Sequence, residues 1–182
     1  MFHRSANLFL RPAWAEDAGS IHAAIADPAI VRNLARAPWP YTRADAEAFV
    51  GLPAESFLPC FLMTLPNAEP AQIVGGAGLG CDEDGQVQLG YWVARPFWGR
   101  GFATEAARAL VGLAAALGHH RLVGWHFLDN PASGRVLAKA GLLPTGRVRP
   151  LACRARGERV MAAEFALTLT EEGPLRTEMR AA

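Results

Sequence analysis

Three cysteines in 182 residues, Cys60, Cys81 and Cys153, are too few and too far apart to staple a small fold, and none falls in a Cys-x-x-Cys or Cys/His spacing. This argues against a zinc site or a disulfide framework; the expectation is reduced, small apolar side chains and no metal. Charge of one sign is lacking too, since 18 Lys and Arg against 17 Asp and Glu leave a formal +1. No global field then recruits nucleic acid or an acidic membrane, and any anion recognition must be local. Long hydrophobic runs are absent: the longest, residues 109–117, is too short to cross a bilayer, and no charged segment followed by an apolar one stands at the N-terminus. A soluble cytoplasmic protein is expected, with neither nucleic acid nor membrane as partner.

What is present is a core. About half the residues are apolar (51%), enough at this length for one domain spanning residues 1–182. Residues 7–11 read as a first strand ended by Pro12. Residues 15–26 read as a helix with Ala18, Ile21, Ala24 and Ile25 inward, and residues 30–36 as a second short helix. Thr42 and Asp45 form a capping-box pattern for a helix through Val50. Segments 57–65 and 73–79 are β-like, and Asp84-Gly85 turns the chain into a strand at Val87. Beyond a long helix come a strand over 121–128, a helix over 132–140 stopped by Gly141, and strands over 145–149 and 159–169; only the last few residues look frayed. The class is α+β, one mixed, mostly antiparallel sheet with helices on both faces.

The richest stretch runs from Leu89 to Thr104. Val87, Leu89, Tyr91 and Val93 alternate with Gln88, Gly90, Trp92 and Ala94 at the period of a strand, and Pro96 ends it. Gly99 and Gly101 remove side chains where backbone N–H groups can close on an anion, Arg100 lies between them, and Thr104 is placed to cap the next helix. That helix carries Leu110, Leu113, Ala114 and Leu117 on one stripe and stops at Gly118. A helix start of this kind is an anion site.

The strings GYWVARPFWGRGFATEAARALV and DNPASGRVLAKAGL resemble, at matching separation, the acyl-CoA motifs of the GNAT N-acetyltransferase superfamily, and LRPAWAEDA with PWPYTRADAEAF is similar to the opening of its RimJ/RimL-like branch. The resemblance covers nearly the whole chain. It implies a sheet splayed open in its middle, where the strand of Tyr91, Trp92 and Val93 leaves that of Val123 and Phe127. The pantetheine of acetyl-CoA lies there as an added strand, since its amides satisfy open backbone groups. It further implies acceptor-side helices over about 15–50, an acyl-CoA core over about 87–142, and the pyrophosphate on the N–H groups of Trp98, Gly99, Arg100, Gly101, Phe102, Ala103 and Thr104. Asn130 and Ser133 are implied at the thioester, with Arg135 and Lys139 near the adenosine end. The chain departs from the pattern at Pro96, where Gln or Arg is common, and at Leu137, where many members place an acidic Tyr; Ser133 takes the place of the Ser often seen in this branch.

The implied reaction is acetyl transfer from acetyl-CoA to a primary amine, a protein N-terminus or a small molecule, by direct attack in a ternary complex. An amine with a pKa of about 10.4 needs a base, a water chain or desolvation to expose its lone pair. The Val93 N–H is the candidate oxyanion donor, worth about a hundred- to thousand-fold in rate. Because the leaving thiolate has a pKa of about 8.5, loss of the Ser133 acid slows rather than abolishes turnover. His126 is a candidate base, beside Asp82, Glu83, Glu158 and Glu164, while His119 and His120 read as residues of a helix end. Trp39 and Tyr41 are candidate acceptor contacts or core residues. Arg147, Arg149, Arg154, Arg156 and Arg159 read as solvated strand edges, without the interleaved aromatics of a nucleic-acid patch. A non-catalytic acyl-CoA sensor is the alternative. A dinucleotide-binding module ranks last, for want of a third glycine. Monomer and homodimer both stay open.

Overall fold

Asp27 accepts the Ala29 N–H at 2.8 Å and Pro28 takes the first helical position, so a new helix starts with only two residues between it and the previous one. The computed structural model describes residues 1–53, 55–66 and 72–169, and the expectation of a frayed terminus lies outside them. In chain order the elements are β1 (His3–Arg4), β2 (Phe9–Arg11), α1 (Ala18–Ile25), α2 (Pro28–Val31), α3 (Arg43–Val50), β3 (Cys60–Thr64), β4 (Ile73–Cys81) and β5 (Val87–Val93). They continue with α4 (Phe102–Ala116), β6 (Arg121–Phe127), α5 (Pro131–Lys139), β7 (Leu143–Cys153) and β8 (Glu158–Thr168). The eight strands among the described residues share one sheet in the order β1-β2-β3-β4-β5-β6-β8-β7. The class is the expected α+β.

Alternation along β3 sorts the two faces. Phe61 and Met63 join the cluster that holds Phe102, Ala106, Leu110 and Ala114 of α4 and Leu137 of α5, while Leu62 joins the cluster of α1, α2 and α3. Each side of the sheet is thus covered by its own helices. Burial of apolar side chains on both faces, at about 25 cal/mol per Å², is the main stabilising contribution. Among the described residues no helix is long and apolar enough to cross a membrane.

Several boundaries differ from those read in the sequence. The helix expected over 15–26 is split: Ala15–Asp17 is a 3₁₀ turn, because the Asp17 carboxylate bends back to accept the Trp14 N–H at 2.8 Å and both terminal nitrogens of Arg11 at 2.7 Å. That expected over 30–36 is the single turn α2, after which the Asn33 side chain donates to the Ala29 carbonyl. The first strand begins at Phe9, since Asn7 turns its N–H and side-chain amide to Glu105. β1 is new, β7 is longer than expected, and β8 is shifted by one residue. Cys60 and Cys81 are exposed and Cys153 is buried.

The Thr42–Asp45 capping box is present, with Thr42 Oγ1 accepting the Asp45 N–H at 3.2 Å and the Asp45 carboxylate accepting the Thr42 N–H at 2.8 Å. Asp82 closes the β4–β5 turn, its Oδ1 accepting the N–H groups of Asp84 and Gln86, both at 2.9 Å.

Candidate active site

β5 and β6 run parallel and meet at a single register pair, Gln88 with Val123. Every other neighbouring pair of strands is antiparallel. The Ala94 N–H bonds the Val74 carbonyl at 2.9 Å, which fixes the parity of the β4–β5 ladder. Antiparallel pairs alternate between bonded and unbonded, so the N–H and C=O groups of Tyr91 and Val93 point away from β4, toward β6. The same reasoning from the Leu128 N–H to the Met161 carbonyl (2.9 Å) turns the backbone groups of Trp125 and Phe127 toward β5. The sheet therefore opens into a wedge lined by backbone donors and acceptors. An extended chain bearing amides can fill it as a strand fills an edge.

At the wide end of this wedge stands the start of α4. Gly99 (φ 77°) and Gly101 (φ 82°) are left-handed, and Gly101, not a side chain, is the N-cap. The expectation that Thr104 caps the helix is corrected: with Gly101 turning the chain, α4 begins at Phe102 and Thr104 lies within its first turn. Among the described residues no protein acceptor meets the N–H groups of residues 99–104. Those donors and the positive end of a 15-residue helix converge on one point. Arg100 is exposed, its guanidinium 5.3 Å from the Phe97 ring, and Phe102 anchors the turn by burying its ring against Phe97. Arg108, on the next turn of α4, donates to the Lys139 carbonyl at 3.0 Å, tying α4 to the end of α5. Arg100, Arg108 and Lys139 line one side of a groove of about 930 Å³.

The other side of that groove was not legible in the sequence. It is the N-terminal arm, with His3, Ser5 and Asn7, held by Glu105. Glu105 accepts the Ser5 hydroxyl and the Asn7 N–H, each at 2.6 Å, and the Asn7 amide at 3.0 Å. Burial pushes its carboxyl up, but these hydrogen bonds outweigh that and hold it below the usual carboxylate range.

α5 supplies the second group of expected residues. Asn130 is its N-cap, accepting the Ser133 N–H through Oδ1. Ser133 Oγ lies 2.7 Å from the Tyr91 hydroxyl, which also donates to the Ser133 carbonyl at 3.1 Å. The wedge is thereby bridged by two hydroxyls, an arrangement the sequence did not reveal. Arg135 and Lys139 are exposed. Leu137 is 1% exposed and packs against Gly124, where any Cβ would lie 2.5 Å from its Cδ2; it belongs to the core and not to the wedge.

His126 also sits beneath α5. Its Nδ1–H donates to the Phe127 carbonyl at 2.9 Å, its ring lies 5.6 Å from that of Phe165, and Gly134 leaves room for it, a Cβ there falling 2.8 Å from Nε2. By β6 alternation this is the α4/α5 face, opposite α1 and α3. Trp98 is 48% exposed and its indole N–H donates to the Val93 carbonyl at 2.7 Å, while Trp92 packs toward the α1 cluster. Tyr41 is 8% exposed and packs in that same cluster, the core alternative of its sequence reading, while Trp39 is exposed. Beside Trp98 and Asn130 a second cavity of about 460 Å³ is lined by Pro28, Ala29, Arg32, Asn33 and Asp129.

Of the arginines expected on solvated strand edges, Arg147, Arg154 and Arg159 are exposed on or beside the edge strand β7, whereas Arg149 and Arg156 are half-buried. Arg149 stacks 4.6 Å over Trp125 and pairs with Asp84 (3.1 Å), and Arg147 pairs with Asp84 (2.9 Å). Arg156 grips Asp129 through both terminal nitrogens, at 2.8 and 3.1 Å, and donates to the Arg32 carbonyl. Asp129 also takes Arg32 at 3.0 Å, so the β7–β8 hairpin is latched to the loop after α2. Two other candidate bases are similarly engaged: Asp82 by its turn and the Trp125 indole N–H, and Glu164, 4% exposed, by Thr145 at 2.8 Å.

A sequence model of the acetyltransferase (GNAT) domain matches residues 7–143. No curated protein matches the sequence. Among solved structures, a GNAT-family acetyltransferase from Bacillus anthracis shares the fold at 19% identity and a TM-score of 0.78, over 92% of this chain and 98% of that one. RimL, a ribosomal L7/L12 alpha-N-protein acetyltransferase in complex with coenzyme A, does so at 19% and 0.73, over 92% and 97%. The microcin C7 self-immunity acetyltransferase MccE, in complex with acetyl-CoA and AMP, follows at 17% and 0.72, over 90% and 93%.

Proposed function

Since the chain belongs to the GNAT acetyltransferase family, we propose that it transfers an acetyl group from acetyl-CoA to a primary amine, a protein N-terminus or a small molecule, by direct attack in a ternary complex. The observation that carries this reading is the wedge: two parallel strands joined at Gln88 and Val123 alone, with the free N–H groups of residues 99–104 at its mouth. Pantetheine amides suit the open groups of Tyr91 and Trp125, and a pyrophosphate suits the helix start with Arg100 beside it. The groove with Arg108 and Lys139 continues from there toward the adenosine end.

Attack of the amine nitrogen on the thioester carbon drives charge onto the carbonyl oxygen, and the Val93 N–H, directed into the wedge, is the donor for it. Ser133 Oγ supplies a hydrogen bond to the departing sulfur. Asn130 caps α5 with its oxygen, which fixes Ser133 and leaves its NH₂ free for a carbonyl. The acceptor enters from the face of α1 to α3, through the cavity between Arg32, Asn33 and Trp98. With His126 on the opposite face, desolvation and water, not that imidazole, expose the amine lone pair.

The test is thiol release from acetyl-CoA with a panel of amines, amino acids and peptide N-termini, joined to mass spectrometry of cell-extract proteins and metabolites after incubation with isotopically labelled acetyl-CoA. Labelled amides are the expected result. Tight CoA binding without any labelled product would favour the sensor reading instead.

A further inference from the structure

Leu137 offers no acid to the wedge, because its side chain is locked in the core against Gly124. A phenol nevertheless reaches the same end of the wedge from the opposite strand. Tyr91, on β5, extends its hydroxyl to 2.7 Å from Ser133 Oγ, on α5, across 42 residues of sequence. We infer that Tyr91 is a positioning residue for the acid step, holding Ser133 Oγ at the wedge mouth and backing it with a second proton. This rests on the acetyltransferase reading above.

The hydrogen-bond inventory of the pair supports it. Two hydroxyls hold two protons, and the bond between them uses one. The other has the Ser133 carbonyl within 3.1 Å of Tyr91, or an acceptor outside the pair. A thiolate arriving beside Ser133 is a stronger acceptor than an amide carbonyl and draws that proton toward itself. Burial pushes the Tyr91 phenol up to about 12, against the Ser133 hydrogen bond, so the pair keeps both protons at working pH.

The step balances. The amine nitrogen bonds to the carbonyl carbon, the carbon–sulfur bond breaks, and its electron pair goes to sulfur. Sulfur takes the Ser133 proton and Ser133 takes that of Tyr91. The proton shed by the new amide nitrogen returns to Tyr91 through solvent. Of the other titratable side chains near this helix end, His126, packed beneath Gly134, donates its Nδ1–H to the Phe127 carbonyl, and Asp129, just before the Asn130 cap, is held by Arg156 and Arg32.

Tyr91→Phe, Ser133→Ala and the double variant test the inference, each with two readouts. Ser133→Ala should lower kcat about a hundredfold and Tyr91→Phe about tenfold, with the KM for acetyl-CoA within about twofold, and the double variant should be no slower than Ser133→Ala alone. Ser133→Thr, which restores a hydroxyl, should recover activity with Tyr91 present and not beside Tyr91→Phe. Ultraviolet titration of the CoA thiol in the bound complex needs no acceptor: it should ionise about one unit lower on the wild type than on either single variant. Losses that multiply in the double variant, or one thiol titration shared by all proteins, would overturn the role of Tyr91. A wild type that binds CoA yet acetylates nothing would overturn the enzymatic reading, while the thiol titration still decides the pair.

Discussion

The indole N–H of Trp98 donates to the Val93 carbonyl at 2.7 Å, which occupies the acceptor of the last β5 residue while its N–H stays directed at β6. The anion turn and the strand end are thus fastened to each other. Trp98→Phe keeps the aromatic body and removes the donor. It should raise the KM for acetyl-CoA several-fold with a melting temperature within a few degrees of wild type, measured by steady-state kinetics and differential scanning fluorimetry.

Gly101 has φ 82° with no atom within 4 Å of a would-be Cβ, so Gly101→Ala meets no clash and bears only the left-handed strain of an L-residue. That strain costs about 1–2 kcal/mol and pulls the turn toward a conformation that breaks the convergence of N–H groups. Calorimetry should show CoA affinity falling about tenfold or more, with chemical denaturation reporting the smaller stability loss.

Filling position 137 with a phenol should fail. Leu137 lies against Gly124 and Leu142 in a closed core, and Leu137→Tyr must place a hydroxyl there. A destabilisation of about 2–4 kcal/mol is expected from overpacking and an unpaired O–H, with no gain in kcat. Urea denaturation and initial rates check it.

Acid should loosen the molecule through Asp17. Burial raises its carboxyl, but the Arg11 guanidinium, Trp14 N–H and charge attraction together lower it from its ordinary 3.8. A group depressed on folding adds stability above its unfolded pKa and loses it as the pH falls through the folded one, so the contribution is full above about pH 5 and fades below about pH 4. Asp17→Asn should flatten melting temperature against pH across that window and, at pH 7, destabilise by about 3 kcal/mol because Arg11 is left buried and uncompensated.

The latch from the β7–β8 hairpin to the loop after α2 should govern the acceptor and not the cofactor. Arg156→Ala removes both bonds to Asp129 and the one to the Arg32 carbonyl. The KM for the amine should rise with little change in CoA affinity, and added salt should weaken the wild type toward the variant, since these charges are partly exposed.

The chain of local cues that gave the fold was strong where physics is local. Glycines at 99 and 101, the Thr42–Asp45 box and the Asp84-Gly85 turn act over a few residues, and each is present. Boundaries failed where a side chain outside the element intervened: Asn7 leaves its strand for Glu105, 98 residues on, and Asp17 breaks a helix to reach back to Arg11 before it. The same limit hid the arm groove, the Arg156–Asp129–Arg32 latch and the Tyr91–Ser133 bond. An apolar Leu137 or a basic Arg149 looks alike in sequence whether it faces solvent, a wedge or an aromatic ring; only packing distinguishes them.

One feature, the lone Gln88–Val123 pair, makes the sheet two plates riveted at a corner: the antiparallel set from His3 to Val93 and that from Arg121 to Thr168. A molecule lying in the wedge becomes a splint between them. The plates gain a ninth, borrowed rung, and their resistance to coming apart then depends on how much of that guest the cell keeps on hand.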